Sequence, residues 1–264
     1  MDIYLQVVQD DLINENAIPP KILHILGEKN KQTNGTAEAD ISKSFMGNYA
    51  QLVNVLNYCF ESTKDTFLVN KFIEMFWHDP GLKRSIDKVY EIVVYALFLT
   101  LVSALDFKIE ISFNTEKQDI LHEFSDFAKM VMCIDENNMS NVQNARVFRV
   151  GVANAADRGL DMYSNWGPAI QIKYLSLDEE LAENIVDSVS SDRIIIVCKE
   201  AEQKVIYSFL NQIGWKSKIQ SIITEQNLVL WYQKALKGKY SNIIGNDLLK
   251  CLSKEINFEF SGYS

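Results

Sequence analysis

The sequence predicts an α/β fold in which helices flank a mixed β-sheet, with a helical region ahead of it. From residue 85 onward, segments with helical and strand-like periodicity alternate. The segment "DRIIIVCK" is apolar at nearly every position, which is typical of a strand covered on both faces. The segment "RGLDMYSNWGPAIQIKYLSL", residues 158–177, has the alternation of two short strands joined by a turn.

Residues 1–80 are predicted to form the N-terminal helical region, and residues 81–264 the α/β core. Within the first region, the polar stretch 28–48 predicts a loop, and two helices follow at about 48–60 and 63–78. Pro80 and Gly81 then supply a stop signal. The apolar residues of "SIDKVYEIVVYALFLTLVSAL" cover nearly every face, so residues 85–105 predict a helix that is buried on most sides.

The remaining elements follow from local patterns. The strand "DFKIEISF" precedes the helix "QDILHEFSDFAKMVM", the strand "ARVFRVGVA" and the hairpin. A helix with Ser176 as its N-cap comes next, because acidic residues fill the following turn. After "DRIIIVCK", a helix closed by Gly214, the strand "IQSIIT" and a last helix closed by Gly238 complete the predicted order.

Composition places the chain among ordinary globular proteins. With 264 residues, of which 47% are hydrophobic, it can bury a sizeable core. No apolar run reaches membrane-spanning length, and the start of the chain lacks the features of a signal peptide, so we expect a cytoplasmic protein without a membrane segment. The four cysteines are far apart, which predicts reduced, mostly buried thiols rather than a zinc site or a disulfide framework.

Charge and missing motifs argue against several function classes. The formal charge of −9 disfavours nonspecific coating of nucleic acid, although a local basic cleft could still read DNA. The sequence contains no phosphate-binding loop, no dinucleotide-binding glycine turn and no nucleophile elbow. The three histidines lie far from one another, so they do not form a recognisable metal-binding motif.

After these motifs are excluded, the hairpin at residues 158–177 contains the one remaining candidate cluster of polar side chains. Strand alternation and the "SNWGP" turn bring Asp161 toward Gln171 and Lys173 on a half-buried face. One interpretation is a structural ion pair between Asp161 and Lys173. The other is a divalent metal site, in which carboxylate and amide oxygens bind the ion and the lysine lies beside an attacking water.

The order of a helix with a buried acid, a strand, the hairpin, a helix and an apolar strand resembles the core of PD-(D/E)xK nucleases. The chain is most similar to type II restriction endonucleases of the HaeII-type family, through "KVYEIVVYALFLTLVSAL", "RGLDMYSNWGPAIQIKYLSL", "DRIIIVCKE" and the segments "QIGWKSKIQSIIT" and "LVLWYQKALKGKY". The similarity covers about residues 85–260. It implies Mg²⁺-dependent cleavage of double-stranded DNA at a short palindrome, which for HaeII-type enzymes is RGCGCY.

The resemblance also implies roles for particular residues. The first acid of the motif falls on Asp161 and the lysine on Lys173, while Gln171 replaces the usual Asp or Glu. Glu91, in "KVYEI", is the further acid that would complete a metal site with Asp161 and Gln171; its alternative is an ordinary helix acid. Lys173 would orient the attacking water or stabilise the charge that develops on the phosphate.

DNA recognition and the partners of the protein are also predicted at this stage. Asn154 and Arg158, in "GVANAADRG", have side chains suited to purine edges in the major groove; the alternative is a solvent loop. Residues 1–80 would serve DNA recognition or dimerisation, a homodimer would match the palindrome, and a cognate DNA methyltransferase would accompany the enzyme. Two alternatives remain open: a repair or junction nuclease of this fold, and a DNA-binding module without catalysis.

Overall fold

The computed structural model describes residues 20–32, 35, 50–79, 82–150, 160–210 and 218–260. The chain divides into two compact units, Met1–Val53 and Asn54–Ser264. Helix α1 spans Pro20–Gln32, so the predicted loop does not begin at residue 28. Glu, Lys and Gln in "EKNKQ" are good helix formers, which accounts for the longer helix. The rest of the predicted loop, after Gly35, lies outside the described residues.

Helix α4, Ile86–Ala104, is the central helix of the second unit and agrees closely with the prediction. It follows helix α2, residues 50–61, helix α3, Val69–Trp77, and the 3₁₀ turn Lys83–Ser85. Two buried tyrosines attach α4 to its neighbours: Tyr90 Oη donates to the Cys198 carbonyl at 2.9 Å, and Tyr232 Oη donates to the Val93 carbonyl at 2.8 Å. The first hydrogen bond holds α4 against the strand Ile194–Ala201 of the sheet, and the second holds it against the helix Glu225–Lys237.

Within the described residues, the main sheet has five strands in the order β3-β4-β5-β6-β7. The first two pairings are antiparallel and the last two are parallel, which confirms the predicted mixed sheet. Helices α7 and α8 make the crossovers between the parallel strands, as parallel pairing requires. The bounds are β3 Val147–Arg149, β4 Met162–Ser164, β5 Ala169–Leu177, α7 Glu179–Ser188, β6 Ile194–Ala201, α8 Gln203–Leu210 and β7 Ile219–Thr224.

A second, two-stranded antiparallel sheet pairs β1, Lys108–Ser112, with β2, Ser140–Asn144. The polar sequence of β2 does not alternate, so it was not predicted. The single helix predicted between them is wrong. It is broken into α5, Gln118–Glu123, α6, Ser125–Phe127, and a π-helical turn, Ala128–Met132, because Phe124 leaves the helical region at φ −110° and ψ 33°.

The predicted N-cap of α7 at Ser176 is wrong by two residues. Strand β5 continues to Leu177, and Ser176 Oγ donates to the Glu200 carboxylate of the neighbouring strand. Asp178 is the N-cap instead, and its side chain accepts a hydrogen bond from the Leu181 amide at 2.8 Å. An aspartate satisfies a free helix amide as well as a serine does.

Two helices complete the described chain. Helix α9, Glu225–Lys237, ends at Gly238 as predicted. Helix α10, Ser241–Glu259, was not predicted, although it buries Leu248, Leu252 and Ile256 and packs on α4 and α9. Gly214, the predicted end of α8, lies outside the described residues.

The cysteines are free thiols. Cys59 and Cys198 are buried and Cys251 is partly buried, as expected, but Cys133 is exposed. Within the described chain, every helix is too short or too polar to cross a lipid bilayer.

Candidate active site

The β4–β5 hairpin determines where Asp161 lies. Met162 pairs with Ile170 and Tyr163 with Ala169, so the same register places Asp161, one residue earlier, opposite Gln171. The Asp161 carbonyl also accepts a hydrogen bond from the Val150 amide at 2.9 Å, which ties it to the end of β3. Asp161 is therefore held on both sides by the backbone of neighbouring strands.

The turn of this hairpin depends on Gly167. Its φ of 118° lies in the region that favours glycine, and a Cβ there would lie 2.5 Å from Arg193 Nη2. The same Nη2 donates to the Trp166 carbonyl at 2.8 Å. The Arg193 side chain thus fastens the turn to the start of β6.

Asp161 accepts two hydrogen bonds through one oxygen. Its Oδ2 lies 2.5 Å from Gln171 Nε2 and 2.7 Å from the Ile172 amide. Burial raises the pKa of this carboxyl, while the Ile172 amide and then the charge of Lys173 lower it again.

Gln171 is buried, with 2% of its surface exposed, and directs its amide nitrogen at Asp161. Its Oε1 atom has no hydrogen-bond partner among the described residues. The opposite orientation of the amide would place two acceptors against each other, so the Asp161 carboxylate selects this one. A buried carbonyl oxygen without a donor is unfavourable unless a cation or water meets it.

Lys173 is half-buried and lies two residues along the same strand. Among the ion pairs of the described residues, none joins Lys173 to Asp161. The positive charge of Lys173 nevertheless lowers the pKa of Asp161, so the ammonium lies within electrostatic reach of the carboxylate. The structure therefore does not contain the simple ion pair that was one interpretation of the sequence.

Glu91 projects from α4 and is 5% exposed. Its Oε2 accepts from Lys88 Nζ at 2.7 Å, and its Oε1 lies 3.6 Å from Arg149 Nη1, too far for a hydrogen bond. Oε1 has no hydrogen-bond partner among the described residues. Burial raises the pKa of Glu91, Lys88 and Arg149 lower it, and the negative charge of Asp161 raises it again.

Arg149 is the largest feature of the site that the sequence did not indicate. Its guanidinium side chain is 7% exposed and lies between three carboxylates: Glu91, Glu255 at 3.4 Å and Glu259 at 3.0 Å. The contacts join β3 to α4 across 58 positions and to α10 across more than a hundred, so no local pattern could predict them. Lys88 was also missed, although its spacing three residues before Glu91 is a recognisable helix pairing.

The donor set suits a hard divalent cation. The described residues contain no cluster of three or more His, Cys, Asp or Glu side chains that could hold a metal ion. Asp161, Glu91 and the Gln171 amide instead combine two carboxylates with one neutral oxygen, and Gln171 and Glu91 each have one oxygen that accepts no hydrogen bond from the described residues. Oxygen donors of mixed charge are what Mg²⁺ and Ca²⁺ bind in proteins. Asn154 and Arg158, the predicted base-reading residues, lie outside the described residues.

The order of elements around these side chains defines the class of the protein. A buried helix with an acid, an antiparallel hairpin, a crossover helix and a buried parallel strand form a nuclease-like α/β core. The chain belongs to the HaeII restriction endonuclease family, whose sequence profile matches residues 6–264. The match extends well beyond residues 85–260, where the sequence resemblance was first evident.

Two relatives are similar over 252 residues, or 96% of the chain. The type II restriction enzyme HaeII of Haemophilus aegyptius is 57% identical, and the match covers 72% of its length. The type II restriction enzyme NgoBI of Neisseria gonorrhoeae is 51% identical, with 71% of its length covered. No solved structure matches the chain. The protein is thus a type II restriction endonuclease, a site-specific enzyme that hydrolyses phosphodiester bonds in DNA.

Proposed function

We propose that this enzyme cleaves double-stranded DNA at a short palindrome, RGCGCY, in a reaction that requires Mg²⁺. The observation that carries the metal requirement is a pair of buried oxygens, Gln171 Oε1 and Glu91 Oε1, that accept no hydrogen bond from the described residues. Gln171 is hydrogen-bonded to Asp161, and the charge of Asp161 raises the pKa of Glu91. The target sequence is supported by similarity to HaeII alone.

Asp161, Glu91 and the Oε1 atom of Gln171 would hold the ion. A bound Mg²⁺ would lower the pKa of a coordinated water and stabilise negative charge on the scissile phosphate. The neutral Gln171 supplies one negative charge fewer than the usual carboxylate, so metal affinity would depend more on the DNA phosphate and on Glu91.

Lys173 would act on the attacking water or on the charge of the transition state. Lys173 follows Gln171 by two residues on β5 and forms no ion pair with Asp161, so its ammonium can meet a substrate. A lysine in this position can hold a water or contact a phosphate oxygen through a flexible stem. The expected products carry a 5′-phosphate and a 3′-hydroxyl.

Recognition and assembly complete the proposal. Asn154 and Arg158 would read bases, and residues 1–80 would assist recognition or dimerisation. A homodimer would match the two-fold symmetry of a palindrome. The enzyme would act in the cytoplasm, where a cognate DNA methyltransferase protects the host sites.

The replacement of the usual acid by Gln171 also favours one alternative, a DNA-binding module that no longer cleaves. Unmethylated phage DNA incubated with the protein and Mg²⁺ separates these functions. Discrete bands whose sequenced ends fall in RGCGCY are the expected result. Binding without cutting would favour the silent module, and cutting only at junctions would favour a repair nuclease.

The variant Asp161→Ala provides the matched control for that digest. It removes the carboxylate that accepts from both Gln171 and Ile172. We expect no cleavage by this variant, and retained binding of a duplex containing RGCGCY in Ca²⁺. Normal cutting by Asp161→Ala would refute the assignment of the site.

A further inference from the structure

Lys88 places a positive charge at the candidate metal site. It lies on α4 three residues before Glu91, and its Nζ donates to Glu91 Oε2 at 2.7 Å. Its charge also lowers the pKa of Asp161, the other acid of the site. A monovalent ammonium thus already neutralises part of the charge that a divalent ion would meet there.

The two cations beside Glu91 differ in how firmly they are held. Arg149 is 7% exposed and also contacts Glu255 and Glu259, so it is fixed in the protein interior. Lys88 is 29% exposed, and its one ion pair within the described residues is with Glu91. Its flexible four-carbon stem can carry the ammonium into solvent without breaking a buried network.

Coulomb repulsion prevents Glu91 from holding the Lys88 ammonium and a divalent ion at the same time. An ammonium that remained hydrogen-bonded to Glu91 would lie within a few ångströms of a divalent ion bound by the same carboxylate. The ion would therefore have to compete with Lys88 for Glu91. Once displaced, the lysine would remain on the first turns of α4, close to the phosphate bound at Asp161.

We propose that Lys88 is an internal counter-ion, which a divalent cation displaces from Glu91 and which then contacts a phosphate of the bound DNA. The inference rests on the proposed metal site at Asp161, Gln171 and Glu91. It assigns Lys88 a role in exchanging metal and substrate, which an ordinary helix ion pair would not have.

The variant Lys88→Met tests whether a divalent cation displaces Lys88 from Glu91, by calcium titration of the free protein at pH 8. Removing the competing cation should tighten Ca²⁺ binding about 3- to 10-fold. A purely structural pair predicts unchanged or weaker binding, because Glu91 would lose the partner that positions it. Lys108→Met is the matched control, since Lys108 Nζ donates to Asp106 at 2.8 Å but lies beyond the other end of α4.

Duplex binding in Ca²⁺ tests whether the displaced Lys88 contacts a phosphate of the DNA. A lost phosphate contact should weaken binding of an RGCGCY duplex by Lys88→Met and reduce the salt slope of log K by about 0.9. Lys108→Met should leave both quantities unchanged. A Lys88→Met protein with wild-type calcium affinity would overturn the counter-ion role, and an unchanged salt slope would overturn the phosphate contact.

Calcium binding by wild type and by Asp161→Ala distinguishes a failure of the proposed Lys88 role from a failure of the proposed metal site. If wild type binds Ca²⁺ and Asp161→Ala does not, the site exists, and the Lys88 result alone decides the inference. If neither protein binds Ca²⁺ with or without duplex, the proposed metal site fails and the role of Lys88 fails with it.

Discussion

Gln171 Nε2 donates a 2.5 Å hydrogen bond to Oδ2 of Asp161 across the β4–β5 hairpin. A carboxylate at position 171 could not make this bond, because an ionised acid has only acceptors. The amide therefore stabilises Asp161 in the metal-free enzyme, while its own Oε1 accepts no hydrogen bond from the part of the chain that the structure describes. Gln171, which replaces the Asp or Glu that is usual at this position, thus lets the hairpin keep its folded geometry without a bound metal ion.

The variant Gln171→Glu should destabilise the metal-free protein and make its stability depend more on metal. It removes a donor to Asp161 and places a second buried negative charge beside it, which we expect to cost about 1–3 kcal/mol. Added Mg²⁺ should raise the melting temperature of the variant more than that of wild type, and cleavage should persist. Thermal unfolding in EDTA and in Mg²⁺ measures both effects.

Gln143→Glu, on the exposed strand β2, is the control for the added charge. It should show the wild-type response to Mg²⁺. Equal metal responses of Gln171→Glu and wild type would place residue 171 away from the ion.

Lys173→Ala should remain folded and lose cleavage. Because Lys173 forms no ion pair with Asp161, its removal leaves no broken pair, and we expect a change of less than about 1 kcal/mol in the free energy of unfolding. Single-turnover cleavage should fall about 10²- to 10³-fold, the effect of losing one electrostatic partner of a transition state. Thermal unfolding and single-turnover kinetics on one preparation test the two statements together.

Lys173→Arg should not rescue this loss, because the planar guanidinium cannot replace a compact ammonium. Cleavage by Lys173→Ala at the wild-type rate would exclude a hydrolytic role. An unfolded variant would instead support a structural one.

Arg149→Met should be strongly destabilising. The change leaves Glu91, Glu255 and Glu259 without their shared cation, and breaking a buried pair costs about 3–5 kcal/mol. Adding Glu255→Gln and Glu259→Gln to the variant should restore part of the loss, since two of the stranded charges are then gone. Urea unfolding compares the single and triple variants, and Lys108→Met should change the free energy of unfolding by no more than about 0.5 kcal/mol.

Two of the site carboxyls should make the metal-free protein less stable as pH rises. Burial raises the folded-state pKa values of Asp161 and Glu91 above their ordinary values of 3.8 and 4.5. Above the ordinary values the folded state holds more protons than the unfolded state, so the free energy of unfolding falls with pH until both raised pKa values are passed. Below the ordinary values this contribution is constant.

Urea unfolding in EDTA at pH 4 and pH 8 tests this sign. The fall in stability should be smaller in Asp161→Asn and Glu91→Gln than in wild type, because neither replacement ionises. Glu110→Gln, on the exposed edge of β1, should behave as wild type. A fall of the same size in all four proteins would show that other groups cause it.

Short-range patterns were enough to predict the central part of the fold. The apolar runs of α4 and β6, the patterns of β5, β7 and α9, and the "SNWGP" turn are all properties of short segments. The opposition of Asp161 and Gln171 follows from that hairpin alone, since the period of a strand is two residues. These elements are local, so a linear sequence contains the information that specifies them.

Other features depended on contacts between distant segments. Strand β2 is polar and exists because β1 pairs with it, and α10 gains its stability from packing on α4 and α9. The placement of Arg149 among Glu91, Glu255 and Glu259 joins residues up to 168 positions apart in the chain. The sequence by itself determined which polar groups share the hairpin. Only the tertiary structure decided the surroundings of Glu91, because Arg149 of β3 approaches its Oε1, at 3.6 Å, only in the folded chain.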